Sequence, residues 1–133
     1  MRIKQFSEEL SISGQIMPND MQALADRGYR SVICNRPDNE STGQPTFREI
    51  KKAAKNAGME AKYIPIGFGG LLQQQLDDFA SAVQEMPGPV LAYCLSGARS
   101  SMMATRTQPR PAGGGNNLMG AMRNLGSMFA GRT

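Results

Sequence analysis

Histidine is absent from all 133 residues, and that absence removes more chemistry than any other feature of the composition. Cys-His and Ser-His catalysis and the common zinc-ligand sets are excluded, so the expectation is no metal and no other cofactor. No apolar run is long enough to span a bilayer. The opening residues Met1-Arg2-Ile3-Lys4-Gln5-Phe6 lack the apolar segment of a secretory signal. Cysteine is scarce, with two in the chain. A cytoplasmic location is expected, with both thiols reduced, which makes reactivity rather than disulfide pairing the question. Positive charge is also scarcer than the net +4 suggests. Residues 1 to 106 hold 12 Lys or Arg against 11 Asp or Glu, and Arg110, Arg123 and Arg132 supply the rest. A nearly neutral body with three Tyr argues against a surface that tracks nucleic acid.

What is present reads as one small domain. Leu10-Ser11-Ile12-Ser13 alternates like a strand, and a helix follows from Pro18 to Gly28 with Met21, Leu24 and Ala25 on its apolar face. Met17 stands where an N-cap belongs and cannot cap. Tyr29 to Asn35 reads as a buried strand stopped by Arg36-Pro37-Asp38, and a helix spans about Thr46 to Ala57. A third strand covers Glu60 to Ile66, a helix covers about Leu72 to Met86, and Val90 to Tyr93 is a fourth strand. Strands alternating with helices predict an α/β fold, a small mostly parallel sheet flanked by helices. The domain is expected to occupy residues 1 to 106. Residues 107–133 form a Gly/Pro-rich, then Met-rich and basic tail in which Leu118, Met122, Leu125 and Phe129 fall at helical spacing while Gly120, Gly126 and Gly131 weaken the helix. The tail is expected to be flexible in isolation, with contact to a partner or a membrane surface as the alternative.

The stretch richest in chemistry is Val90-Leu91-Ala92-Tyr93-Cys94-Leu95-Ser96-Gly97-Ala98-Arg99-Ser100-Ser101. A strand here delivers a cysteine into a loop of small residues followed by arginine. A thiolate is the reactive form of cysteine and needs positive potential nearby. Successive N–H groups over Leu95, Ser96, Gly97 and Ala98 form an anion nest, Ser96, Ser100 and Ser101 offer hydroxyls close to Cys94, a helix beginning near Ser100 adds its dipole, and the Arg99 guanidinium can fork onto two oxygens. A buried strand-end cysteine before an ordinary turn is the simpler alternative. Ligands of parallel sheets bind outside the carboxyl ends of the strands. Cys94 and Arg36 both end strands on that rim, which favours a functional Cys94 with a small anionic substrate. Arg36 either assists Arg99 or pairs with Asp38 or Glu40 to fix its loop. Cys34, inside a strand, reads as a core residue.

These segments carry a family resemblance. Leu10 to Ile16, Asn35-Arg36-Pro37-Asp38, Gly43-Gln44-Pro45 and Pro89 to Ser100 together resemble the phosphatase-like domain of the beta-lactamase-hydrolase-like proteins, related in fold to dual-specificity tyrosine phosphatases. The resemblance covers about residues 1 to 105. It implies a phosphatase-like α/β fold, Cys94 as nucleophile and Arg99 in the anion cradle, and it leaves phosphatase and sulfurtransferase activity both open. Tyrosine phosphatases use His-Cys and five residues before the Arg. Here Tyr93 precedes Cys94, and four residues separate it from Arg99, the spacing of rhodanese-type sulfurtransferases. A phosphatase also uses an acid on a nearby loop to protonate its leaving group, and residues 67–70 contain none. Asp38, Asp77 and Asp78 are the remaining candidates, and solvated or capping roles suit them better. Sulfur transfer from a sulfane sulfur donor through a Cys94 persulfide is therefore the expected activity. Hydrolysis of a phosphate ester through a cysteinyl-phosphate is the alternative, and a weakly active anion-binding module is the third reading. Leu95 stands where the family and many rhodaneses carry Arg, which removes one cation from the cradle.

Overall fold

The computed structural model describes residues 1–67, 69 and 71–109. The expectations placed on the tail, including Leu118, Met122, Leu125 and Phe129, lie outside the described residues. Chain order is β1 (Ile3–Gln5), β2 (Leu10–Ser13), a 3-10 turn (Pro18–Asp20), α1 (Met21–Asp26), β3 (Ser31–Cys34), α2 (Phe47–Asn56), β4 (Glu60–Tyr63), α3 (Gln73–Glu85), β5 (Val90–Tyr93) and α4 (Ala98–Thr107).

The sheet order is β1-β2-β5-β3-β4. β2, β5, β3 and β4 run parallel, and β1 lies antiparallel on the β2 edge with Ile3 opposite Ser13. Sequence patterning missed β1, because three residues, Ile3 half-buried and Lys4 and Gln5 exposed, carry too short an alternation to read. Each parallel crossover is long enough to carry a helix, and helices cover both faces. The alternation along β5 divides the core. Val90 and Ala92 pack on one face with Phe79, Met103 and Ala104 of α3 and α4. Leu91 and Tyr93 pack on the other with Met21, Leu24, Ile50 and Ala54 of α1 and α2.

Local boundaries follow simple rules. Thr46 caps α2: its side chain accepts the Glu49 N–H at 3.1 Å while Glu49 accepts the Thr46 N–H at 2.8 Å. Met17 offers no side-chain bond, and Asp20 compensates from the other end by accepting the Met17 N–H at 2.7 Å. The regular part of β4 stops at Tyr63 rather than reaching Ile66, because Pro65 has no N–H for the ladder. The N–H groups of Ile64 and Ile66 still bond the carbonyls of Cys34 and Asn35, each at 2.9 Å. Among the described residues no helix is long and apolar enough to cross a membrane.

Candidate active site

The carboxyl ends of β2, β5, β3 and β4 open onto one rim, and the loop from Cys94 to Gly97 sits at its centre between β5 and α4. Cys94 is buried. Its Sγ accepts the Gly97 N–H at 3.1 Å, so the loop turns its own amide onto the sulfur. The turn needs Gly97 at φ 96°, a conformation that costs an L-residue about 1–2 kcal/mol, and Gly97 serves as N-cap of α4. The helix therefore starts at Ala98, two residues earlier than expected, and its positive end faces the loop. β2 sets the loop height. Gln15 donates its N–H to the Leu95 carbonyl at 3.0 Å, and a Cβ on Gly14 would stand 2.8 Å from that same oxygen. Of the loop side chains, Leu95 is 53% exposed, Ser96 and Ala98 are exposed, and Ser96 Oγ accepts the Ala98 N–H at 3.2 Å.

Behind the loop a buried polar chain ties three elements. Ser100 Oγ donates to Asn35 Oδ1 at 2.8 Å, and Asn35 Nδ2 donates to the Ile64 carbonyl at 2.8 Å. Ser100, first noted for its proximity to Cys94, thus acts as a strut between α4 and the ends of β3 and β4.

Both arginines converge on Glu40. Arg99 clamps it with Nη1 on Oε2 at 2.7 Å and Nη2 on Oε1 at 2.9 Å, and Nη1 also donates to the Ile66 carbonyl at 2.8 Å. Arg36 is 4% exposed. It donates Nε to Glu40 Oε1 at 3.0 Å, Nη1 to Gln15 Oε1 at 2.9 Å and Nη2 to Ser41 Oγ at 3.0 Å. The Arg99 guanidinium holds the Glu40 carboxyl below the usual carboxylate range, with Arg36 assisting. In return, Glu40 raises the Arg99 pKa, with a smaller contribution from Cys94. Two cations and one carboxylate leave this cluster a net single positive charge. Sequence alone offers Glu40 only as a pairing partner for Arg36 and gives Gln15 no role of its own. The residue pattern gave no signal that a loop after β3 would reach Arg99, 59 positions away.

The remaining acids are engaged elsewhere. Asp38 Oδ1 accepts the Phe47 N–H at 2.8 Å at the start of α2, and the Asp38 N–H donates to the Tyr63 hydroxyl at 2.9 Å. Asp38 is therefore a capping residue here, and Arg36 pairs with Glu40 and not with it. Asp77 and Asp78 accept the side-chain amides of Gln73 and Gln74, one helical turn back, at 2.9 and 2.7 Å. Tyr93, adjacent to Cys94, turns to the opposite face with Cys34. Burial pushes the Cys34 thiol up, and it donates to the Arg36 carbonyl at 3.2 Å, as a core cysteine would. Both cysteines are free. Among the described residues no cluster of His, Cys, Asp and Glu could hold a metal ion.

Comparison with known proteins gives a consistent picture. The family model for the beta-lactamase hydrolase-like protein, phosphatase-like domain, matches residues 2–110. A beta-lactamase hydrolase-like protein of Agrobacterium fabrum is 36% identical over 100 residues, which is 75% of this chain and 23% of the relative. One from Xylella fastidiosa is 36% identical over 103 residues, 77% of this chain and 24% of the relative. The chain thus spans about a quarter of the length of these curated relatives. Among solved structures, a proposed phosphatase from Neisseria meningitidis superimposes with a TM-score of 0.72 at 32% identity, covering 82% of this chain and 81% of the other. The core catalytic domain of a PP-IP phosphatase from S. cerevisiae, in complex with citrate, gives 0.61 at 15% identity over 76% of this chain and 60% of that one, a likeness of fold.

Proposed function

Because this chain belongs to the family of the phosphatase-like domain of beta-lactamase hydrolase-like proteins, we propose that it is a phosphatase-type hydrolase working through a cysteinyl-phosphate on Cys94. The observation that carries this reading is the cradle itself. The Cys94 sulfur lies within 3.1 Å of the Gly97 N–H, at the N-terminus of α4, with Arg99 one helical position inside. A phosphate dianion in that loop meets backbone donors, a helix dipole and a guanidinium together. In this reading Cys94 attacks phosphorus, Arg99 and the loop amides bind the equatorial oxygens as charge redistributes, and Glu40, Arg36 and Gln15 hold Arg99 in place.

The comparisons favour this over the sulfur transfer expected from loop spacing. The matched family and the related solved structures are phosphatase-like, and none of them supports a persulfide route. The four-residue spacing between Cys94 and Arg99 remains the feature that suggested sulfur chemistry. One experiment separates the two. Purified protein is given 4-nitrophenyl phosphate in one arm and thiosulfate in the other, with intact mass recorded. Release of nitrophenol that falls to background in Cys94→Ser supports the phosphatase. A single added sulfur on Cys94 without any phosphatase turnover overturns it.

A further inference from the structure

The four loops at the carboxyl ends of the parallel strands span residues 14–17, 35–46, 64–72 and 94–97, and among them they contain two acids, Asp38 and Glu40. Both are held as acceptors: Asp38 by the first N–H of α2, and Glu40 by two guanidinium groups at 2.7 to 3.0 Å. The helix turns next to the rim add Asp20, Glu49, Asp77 and Asp78. Asp20 and Glu49 accept backbone N–H groups at 2.7 and 2.8 Å, while Asp77 and Asp78 accept glutamine amides of their own helix. Residues 86–133 contain no Asp or Glu, and the chain has no His, so residues 110–133 have no carboxylic or imidazole side chain to bring to the rim. The Tyr63 hydroxyl accepts from the Asp38 N–H, and its ring is stacked on Phe47 at 5.0 Å.

From this inventory we infer that the site expels its leaving group without protonating it, and so acts on phosphoryl groups carried by a weakly basic oxygen, phenolic, acyl or anhydride, rather than by an alkoxide. The inference rests on the phosphatase reading above. In the first step the Cys94 thiolate forms an S–P bond as the P–O bond to the leaving group breaks. The leaving oxygen departs as an anion and takes its proton from bulk water. In the second step a water oxygen bonds to phosphorus as the S–P bond breaks. The thiolate is regenerated, and both protons of that water stay on the product, which leaves as dihydrogen phosphate. No protein acid or base enters either step. A positioned general acid contributes about 10²–10⁴-fold, and that factor is what an alkyl ester would lack here.

The test is a series of substituted phenyl phosphates, from 4-nitrophenyl to unsubstituted phenyl, with an alkyl phosphate at the end, run on the full chain. The leaving-group burst is read in single turnover. The expected result is a steep fall of the burst rate with rising pKa of the leaving group, approaching tenfold per unit, and alkyl ester cleavage at least about 10²-fold below phenyl phosphate. Asp77→Asn and Asp78→Asn are expected to leave the slope unchanged. A shallow slope in the wild type, steepened by either substitution, identifies an acid and overturns the inference while the phosphatase reading stands. A shallow slope that neither substitution changes overturns it equally. If no ester in the series gives Cys94-dependent release, the phosphatase reading itself falls and this inference falls with it.

Discussion

Glu40 bears on two cations at once, and that single carboxylate decides how much positive charge the cradle offers. Its side chain is 16% exposed, and those of Arg99 and Arg36 are 12% and 5% exposed. Removing the carboxylate charge strips part of the hydrogen bonding from a buried guanidinium. Glu40→Gln is expected to cost about 1–3 kcal/mol of stability at neutral pH, read by urea denaturation. The sign with pH follows from linkage. The folded carboxyl titrates below its unfolded value, so its stabilisation is complete above the ordinary carboxylate pKa of about 4 and is lost as pH falls through the folded value. Wild type and variant should therefore converge in acid, and a difference that persists there would rule out the charge pair as its source. Leu95 offers the opposite experiment. It is 53% exposed, so Leu95→Arg restores a cation without disturbing the core. It should tighten inhibition by inorganic phosphate up to about fivefold, an effect of about 1 kcal/mol, and the gain should shrink in high salt.

The element that matters most is the turn from β5 into α4, and its shape comes from backbone contacts with β2. Gly14→Ala would press a Cβ to 2.8 Å from the Leu95 carbonyl, a backbone atom that cannot rotate away. The expected outcome is a larger loss in the Cys94-dependent hydrolysis rate than in melting temperature, because the strain falls on the loop while the core is untouched. Equal losses in both would show that Gly14 serves folding alone. At the far end of the rim, Thr46→Ala removes the α2 cap and should cost about 1 kcal/mol in thermal denaturation. Asp38, which binds the first N–H of the same helix, limits the damage. Most elements were legible from sequence. Leu10–Ser13 alternates, Val90–Tyr93 is a short unbroken apolar run, and Thr46 announces α2 by its own chemistry. β1 and the early start of α4 were not, since the first depends on a strand partner and the second on the positive φ of Gly97.

For the molecule as a whole, the ten elements close two cores on one sheet within residues 3–107. A chain ended after Pro109 is therefore expected to unfold cooperatively, with the same denaturant slope per exposed surface and the same Cys94-dependent hydrolysis as the full chain. Loss of cooperativity would place residues 110–133 inside the fold. The chain matches about a quarter of its curated relatives, so in those proteins this unit is joined to a much longer polypeptide.

By itself the sequence determined the parallel α/β plan, the rim on which the Cys94 loop lies, and the placing of Cys94 and Arg99 at the two ends of that turn. Each of these is written in local signals: periodicity, caps, and the order Cys-x4-Arg. Only the tertiary structure decided what surrounds them. Glu40 reaches Arg99 across 59 positions, Gly14 meets Leu95 across 81, and Asp38 turns away to cap a helix. The physical reason is that charge neutralisation and close backbone approach depend on distance in space, which residue type and spacing along a chain do not encode.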